Sequence, residues 1–254
     1  MKKNWRFVYQ ENQFWGECLP CTLAVFNSII DSAVVAWKIA TRQEVEEAVA
    51  KGLPLNKWTL NSDFQQFCLK REAQPRAGEL FKQLTVGEKL IQWTNSLKMS
   101  LPCFIVAASL FDLVPVTDKI GNPVLDENGQ QVMRRRRQLK GIHLNGLFMF
   151  DADHLTVDPY EIFKLTQVPG FPWQVRLAHK TSSGHGLRLV CELRPELGNI
   201  ADNQICLARD LGLMGVIGST GKPVVDDSCI DASRISYACR REDIYFIDEE
   251  NLFS

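Results

Sequence analysis

The chain has 254 residues, enough to bury a full core as one large domain or as a catalytic core preceded by a helical segment. A formal net charge of −1 excludes a general attraction to nucleic acid, so any such contact must come from local basic patches. Eight scattered cysteines without a signal peptide, and no apolar run of about 18 residues, predict a soluble cytoplasmic protein with no membrane contact.

The first part of the chain is predicted to form a mainly helical lobe over residues 1–98. Residues 1–20 are rich in aromatic side chains, which predicts a short strand or packing arm, or else a platform on which single-stranded bases stack. An apolar segment predicts a helix from Leu23 to Trp37, and a capping box at Thr41 to Glu44 predicts another that stops at Gly52. Further helices are predicted from Asn61 or Ser62 to Arg71 and from Val86 to Leu97, with a loop at 73–78.

Strand patterns dominate the rest of the chain and predict an α+β catalytic core over residues 99–254, built on an antiparallel sheet. The first core strand is predicted from Leu101 to Ala107. Turn sequences at 121–123 and 126–129 predict a hairpin between Phe111 and Lys140.

The predicted hairpin ends in a basic run, Arg134, Arg135, Arg136 and Arg137, with Lys140 close behind. Side chains alternate along an extended strand, so at most about half of them can face one groove. The run favours contact with the phosphates of a nucleic acid. The alternative is a solvated strand edge that prevents aggregation between sheets.

An acid pair follows a predicted buried strand. The unbroken apolar run from Leu147 to Phe150 leads into Asp151 and Asp153, which lie two residues apart and should therefore share one face. Two carboxylates on one face can bind a single Mg²⁺ or Mn²⁺ centre. The alternative is that the two aspartates only form a turn or a cap.

A small polar turn is predicted between two later strands. Ser182, Ser183, Gly184, His185 and Gly186 form a segment whose backbone N–H groups and hydroxyls can approach an anion closely. The cations around this turn are Lys180, His185 and Arg188. A strand that ends in acids, followed by a turn suited to phosphate, is typical of nucleotidyl transfer.

A third acid follows a second apolar segment. Val224 and Val225 are β-branched and lead into Asp226, which places a carboxylate where a short strand leaves the core. Asp227 is the alternative third acid. The hydrophobic residue directly before Asp226 favours Asp226. Arg234 follows on a helix or turn, where it can contact a phosphate or pair with an acid.

These motifs together resemble the archaeo-eukaryotic primase (Prim-Pol) superfamily. The shared pattern is hydrophobic-Asp-x-Asp, then Ser-x-His within a Ser-Gly-x-Gly turn, then hydrophobic-Asp. Similarity to the virulence-protein-E N-terminal-like branch, found in mobile-element replication proteins and beside helicase-like domains, is carried by Leu101-Pro102-Cys103, Phe111, Asn145-Gly146, Asp151-Ala152-Asp153, Ser183-Gly184-His185-Gly186-Leu187-Arg188 and Asp226 to Arg234.

The resemblance implies an RRM-like antiparallel-sheet primase-polymerase core with an N-terminal helical lobe. It also implies that Asp151, Asp153 and Asp226 hold two Mg²⁺ or Mn²⁺ ions. Ser183 and His185 would contact the triphosphate of an incoming NTP or dNTP. The implied reaction is extension or initiation of a primer on single-stranded DNA, with a helicase domain or protein as a further partner.

One position departs from the family pattern. Many members of the superfamily carry the histidine of the second motif at the start of the following strand, where this chain has Arg188. Two alternatives follow: His185 acts from within the turn, or Arg188 replaces the histidine as the cation that binds phosphate.

Two other functions would require different residues. A rolling-circle nickase needs two histidines one residue apart, and the four histidines, His143, His154, His179 and His185, include no such pair. A single-stranded-DNA-binding or docking module that has lost catalysis would keep the basic and aromatic patches without needing all three acids. The presence of all three therefore favours the enzyme.

Overall fold

The computed structural model describes residues 5–13, 16–226 and 230–253. Strands and helices alternate irregularly along these ranges. The strands are β1 (Val8–Gln10), β2 (Leu19–Pro20), β3 (Cys103–Ile105), β4 (Ala108–Phe111), β5 (Leu113–Pro115), β6 (Met133–Arg135), β7 (Ile142–Leu144), β8 (Leu147–Ala152), β9 (Val175–Lys180), β10 (Leu187–Glu192), β11 (Ser236–Tyr237) and β12 (Ile244–Ile247). The helices are α1 (Leu23–Ile30), α2 (Ala33–Ala50), α3 (Asn56–Thr59), α4 (Ser62–Glu72), α5 (Ala77–Lys82), α6 (Val86–Met99), α7 (Pro159–Leu165), α8 (Ile200–Asp210) and α9 (Glu249–Phe253).

Two four-stranded antiparallel sheets form the framework of the described ranges. The first has the strand order β11-β3-β1-β2, and the second has the order β12-β9-β10-β8. Two short ribbons, β4-β7 and β5-β6, extend from them. This mixture of antiparallel sheets and helices confirms the predicted α+β class. The predicted division of the chain between residues 98 and 99 stays a prediction. The first sheet contains strands from both sides of that boundary, because β1 pairs with β3.

The second sheet is covered on both faces, which explains the unbroken apolar run before Asp151. All six residues of β8 are buried. Leu147 and Met149 pack into a core shared with α1 and the first half of α2. Phe148 and Phe150 pack on the opposite face against α7 and α8. Asp151 therefore continues the Leu147 and Met149 row, at the point where that core becomes polar.

Helix α2 connects this sheet core to a separate helical cluster. Val35 and Ile39, in its first half, belong to the sheet core, whereas Val45 packs with Phe64 and Trp93 of α4 and α6. The middle of α2 consequently lies beside the polar end of the second sheet. Arg42 and Gln43 reach that region from this helix, and both hydrogen-bond to Ser182.

Three predictions for the N-terminal helices were wrong in their boundaries. The first predicted helix ends early, at Ile30, and α2 then runs without a break through Thr41, which is buried and caps nothing. The apolar row of α2 continues past Thr41, so packing overrides the local capping signal. The predicted loop at 73–78 contains the start of α5. The predicted start at Asn61 is confirmed, because its side chain caps α4.

No single described helix is long and apolar enough to span a membrane. Helices α1 and α2 pass that test together, as a pair bent by 46°. Phe26 and Ile30 of α1 and Val35 and Ile39 of α2 are buried in the sheet core.

A chain of ion pairs ties both ends of the chain to the second sheet. Glu192 of β10 accepts hydrogen bonds from Arg6 at 2.6 Å and from Arg176 of β9 at 2.9 Å. Arg176 also donates to Asp248, next to α9, at 2.5 Å. Since these groups are largely shielded from water, the network should be worth more than an exposed pair.

We expect Glu192→Gln to lower the free energy of unfolding by about 1–2 kcal/mol, because Arg6 loses its carboxylate partner and Arg176 keeps only Asp248. Urea denaturation followed by circular dichroism measures the change. The matched control is Glu47→Gln, in the exposed pair with Lys51, which should leave the free energy of unfolding nearly unchanged because water screens that pair. Equal effects of the two substitutions would contradict the stabilising role of the network.

Candidate functional site

The three aspartates singled out from the sequence line a single pocket. The segment 224–226 runs antiparallel to 151–153: Asp226 N–H donates to Asp151 C=O at 3.0 Å, and Asp153 N–H donates to Val224 C=O at 2.7 Å. This pairing brings the distant Asp226 next to Asp151. We call the resulting cavity of about 230 Å³ the acid pocket. It is lined by Asp151, Asp153 and Asp226, together with Lys98, Arg137, Arg188, Arg234, Gln13, Ile235 and Tyr237.

Asp151 is the most buried of the three acids, at 3% exposure. Arg188 lies opposite it on β10, and its Nη2 donates to Asp151 Oδ2. The other carboxylate oxygen, Oδ1, is buried and has no hydrogen-bond partner within the described ranges. Burial, together with the negative charge of Asp151, raises the pKa of Asp153. Asp153 is therefore protonated more readily than an exposed aspartate.

Asp226 is half-buried and also pairs with an arginine. Arg234 Nη2 lies 3.1 Å from Asp226 Oδ2. Asp151 and Asp226 are therefore each paired with an arginine, Arg188 and Arg234 respectively. Asp227, the alternative third acid, lies outside the described residues.

The polar turn between β9 and β10 forms a second cavity beside the acids. Thr181 N–H donates to Gly186 C=O at 2.9 Å, and Gly184 N–H closes the turn on Thr181 C=O at 2.9 Å. Gly184 has a φ of +81°, a conformation that favours glycine. The cavity, which we call the hydroxyl pocket, has a volume of about 180 Å³ and is lined by Thr181, Ser182, Ser183, Arg42, Lys98, Asp153, His154, Arg188 and Tyr237.

The acid pocket and the hydroxyl pocket share four side chains: Lys98, Asp153, Arg188 and Tyr237. They are thus neighbouring parts of one polar depression, with carboxylates at one end and hydroxyl groups at the other. This combination suits a ligand that carries both a metal-binding group and phosphate oxygens.

The structure separates Arg188 from His185. Arg188 lies between the acids and the hydroxyl groups, whereas His185 is exposed and lines a third cavity of about 630 Å³, together with Lys180, Ser183 and Gly184. Of the two cations that the sequence left as alternatives, Arg188 is the one in contact with an acid. The phosphate-binding role of either residue stays a prediction.

The four arginines of the basic run face different surroundings. Arg137 lines the acid pocket. Arg135 donates from its guanidinium to Phe111 C=O, and its own carbonyl accepts from Cys18 N–H at 2.8 Å. The exposed side chains of the run are Arg134, Arg136 and Lys140. This division follows the alternation expected on a strand, and contact with nucleic acid stays a prediction.

Several residues of the site were missed in the sequence. Arg42 of α2 and Lys98 of α6 come from helices in which no chemistry was expected. Arg42 also pairs with Glu46 one turn away, which looks in the sequence like an ordinary helix-surface pair. His179 did carry a signal, because it is an ionisable residue next to the buried residues Leu177 and Ala178 of β9.

A buried polar row connects Arg188 and His179 of the second sheet through Ser236 of β11, which belongs to the first sheet. Arg188 Nη1 donates to Ser236 Oγ at 3.1 Å, and this hydroxyl lies 3.5 Å from Nε2 of His179. Nδ1 of His179 lies 2.8 Å from the carbonyl oxygen of Lys180, which only accepts, so Nδ1 carries the proton. Burial, together with the positive charge of Arg188, lowers the pKa of His179 to about 4. His179 is therefore neutral at pH 7.

We expect stability to fall with acidification between about pH 6.5 and pH 4. In this interval the unfolded chain protonates His179 whereas the folded protein does not, so stability rises with pH. The full difference amounts to roughly 3 kcal/mol. Urea denaturation at intervals of half a pH unit, compared with His179→Gln, isolates this contribution. Parallel profiles for the two proteins would contradict it.

The residues of the acid pocket fit a divalent cation by chemistry rather than by existing geometry. Within the described ranges, no group of three or more His, Cys, Asp or Glu side chains forms a ready metal cluster. The buried Asp151 Oδ1 still needs a partner, and carboxylate oxygens are the ligands that Mg²⁺ and Mn²⁺ prefer. At Oδ2 of Asp151 and Oδ2 of Asp226 a cation would have to replace an arginine, whereas Asp151 Oδ1 has no hydrogen-bond donor on it within the described ranges.

Comparison of the chain with known protein families, with curated proteins and with solved structures found no significant match. Its class therefore rests on the molecule itself: an α+β protein with a carboxylate-lined pocket next to a pocket of hydroxyl groups and cations.

Proposed function

We propose that this protein is a DNA-dependent primase-polymerase, which transfers nucleotides from NTP or dNTP to a primer on a single-stranded DNA template. The observation that carries the proposal is that Asp151, Asp153 and Asp226 line one pocket that shares Lys98 and Arg188 with the hydroxyl pocket. The finer fold we propose is an RRM-like catalytic core. It is supported by the four-stranded antiparallel sheet with α7 and α8 on one face.

Under this proposal Asp151, Asp153 and Asp226 hold two Mg²⁺ or Mn²⁺ ions. When bound, such ions neutralise triphosphate charge and lower the pKa of an attacking hydroxyl. In the reaction, the primer 3′-oxygen forms a bond to the α-phosphorus and loses its proton. The bond from the α-phosphorus to the α,β-bridging oxygen breaks, and pyrophosphate leaves with that oxygen.

The side chains of the turn bind the triphosphate tail in this proposal. Ser182 and Ser183 provide hydroxyl groups and Gly184 provides a backbone N–H, while Arg188 and Arg234 move from their carboxylates to phosphate oxygens. Lys180 and His185 line the adjoining large cavity and extend the positive surface there.

Binding of metal and binding of triphosphate should therefore favour each other. A triphosphate that takes Arg188 and Arg234 frees their carboxylates for the metal, and a metal on the carboxylates frees the arginines for the triphosphate.

The basic run would contact template or primer phosphates. Arg137 would do so from the acid pocket, and the exposed side chains of Arg134, Arg136 and Lys140 lie nearby in the chain. Arg135 instead supports the strand, through its hydrogen bond to Phe111 C=O.

The test is a gel assay with labelled ATP, GTP and the four dNTPs, single-stranded DNA and Mn²⁺, run with and without an annealed primer. We expect metal-dependent products longer than the input primer or, without primer, short new strands. Failure to incorporate any nucleotide under all these conditions would overturn the polymerase proposal. A helicase domain or protein, as a partner, follows only from the family resemblance.

A second function is favoured by one specific observation. Arg188 and Arg234 already pair with Asp151 and Asp226 within the protein, so the charges of these two acids are balanced by the chain's own side chains. This arrangement suits a catalytically silent single-stranded-DNA-binding or docking module. Isothermal titration with Mn²⁺, alone and with a nucleotide, separates the two: the enzyme binds both together, whereas the silent module binds DNA without them.

A further inference from the structure

We propose that Lys98, on the last turn of α6, binds the triphosphate tail and makes the helical lobe part of the nucleotide site. This inference deepens the proposed function and rests on it for the identity of the nucleotide. Lys98 lines both the acid pocket and the hydroxyl pocket, where those two cavities meet. A phosphate chain that spans both cavities would lie beside the side chains that line both, and Lys98 and Arg188 are the two cations among them.

The surroundings of Lys98 leave its charge available to a ligand. The ammonium lies 4.9 Å from the centroid of the Tyr237 ring, a cation–π contact that holds the side chain over the cavity. Across the described ranges, no carboxylate lies within 4.0 Å of its Nζ. In contrast, Lys89 on the same helix pairs with Glu72.

The charges around the hydroxyl pocket favour a highly charged anion. Arg42, Lys98 and Arg188 line this cavity with a single carboxylate, Asp153. Arg42 donates to Ser182 Oγ at 3.1 Å, which orients that hydroxyl group from the helical side. Burial lowers the pKa of Lys98, with the charges of Arg42 and Arg188 as additional causes, and the negative charge of a polyphosphate in the cavity would raise it again.

The test measures binding of inorganic tripolyphosphate to the full chain by isothermal titration in EDTA, so that neither metal nor catalysis is involved. We expect Lys98→Met to weaken tripolyphosphate binding by roughly ten- to hundredfold, since it removes a charge-assisted hydrogen bond from a shielded site. Lys98→Arg should retain most of the affinity, and monophosphate binding should change much less. Lys89→Met, the same change on the same helix, is the matched control.

Two further measurements keep the test decisive. Thermal unfolding of each variant establishes that it is folded, and Lys98→Gln replaces Lys98→Met if the latter is not. Wild-type affinity in Lys98→Met or Lys98→Gln, or no binding of tripolyphosphate by the wild type, overturns the inference. If the Lys98 variants lose tripolyphosphate affinity but the wild type incorporates no nucleotide, Lys98 binds phosphate and the polymerase proposal is rejected. If the wild type incorporates nucleotide and the Lys98 variants keep its tripolyphosphate affinity, the polymerase proposal stands and the role of Lys98 is rejected.

Discussion

Replacement of Asp226 by asparagine is expected to lower Mn²⁺-dependent nucleotide incorporation by about three orders of magnitude. The substitution removes one of three anionic ligands, and metal stabilisation of the transition state is worth several kcal/mol, at about 1.4 kcal/mol for each factor of ten. Asp226 is the cleanest of the three acids to test. It is only half-buried, and an amide oxygen at this position can still accept from Arg234.

The measurement combines primer extension with titration of Mn²⁺ in the presence of a non-hydrolysable dNTP. The matched control is Asp112→Asn, an exposed aspartate that pairs with His143 at a distance from the acid pocket. Asp112→Asn should retain full incorporation. If Asp226→Asn incorporates nucleotide at the wild-type rate, Asp226 is not a metal ligand, and the neighbouring Asp227 becomes the acid to test.

Asp151 would give a less direct result. Asp151→Asn leaves the buried Arg188 facing a neutral amide, so lost activity would combine a missing ligand with a destabilised fold. The unequal burial of the three acids therefore decides which of them can test the mechanism.

Local sequence patterns predicted β8 and the start of α4, although the local capping signal at Thr41 failed. The apolar run before Asp151 predicted β8, because a strand covered on both faces has no polar alternation. Asn61 and Ser62 predicted the start of α4, where the Asn61 side chain does accept from the Asp63 and Phe64 N–H groups. In such cases the residues that decide the structure are neighbours in the chain.

The composition of the site depended on contacts that no local pattern contains. Arg42 and Lys98 reach the hydroxyl pocket only because α2 and α6 pack beside the second sheet. The choice between His185 and Arg188 was open in the sequence, since both flank the same turn. Strand register resolves their positions: Arg188 pairs with Asp151 across β10 and β8, and His185 remains in the exposed turn.

Gly186→Ala is expected to disrupt the site from within its backbone. A Cβ at this position would lie 2.4 Å from Asp153 Oδ1, 2.6 Å from Thr181 Oγ1 and 2.9 Å from the carbonyl oxygen of Ala152. The carboxylate can rotate away, but only by leaving its position in the acid pocket. The carbonyl belongs to the end of β8 and can move only with the strand. We therefore expect a loss of about 2 kcal/mol in unfolding free energy.

The same substitution should reduce nucleotide incorporation by roughly a hundredfold or more, because displacement of a catalytic group by about 1 Å already costs that much. Incorporation assays and urea denaturation measure the two effects. Gly87→Ala is the control: its Cβ would lie 3.5 Å from Val49 in ordinary contact, and alanine in a helix should stabilise the protein by about 0.5–1 kcal/mol. If Gly186→Ala is as stable and as active as the wild type, the turn does not hold Asp153 in place. The close approach of the Gly186 backbone to Asp153 then has no functional consequence.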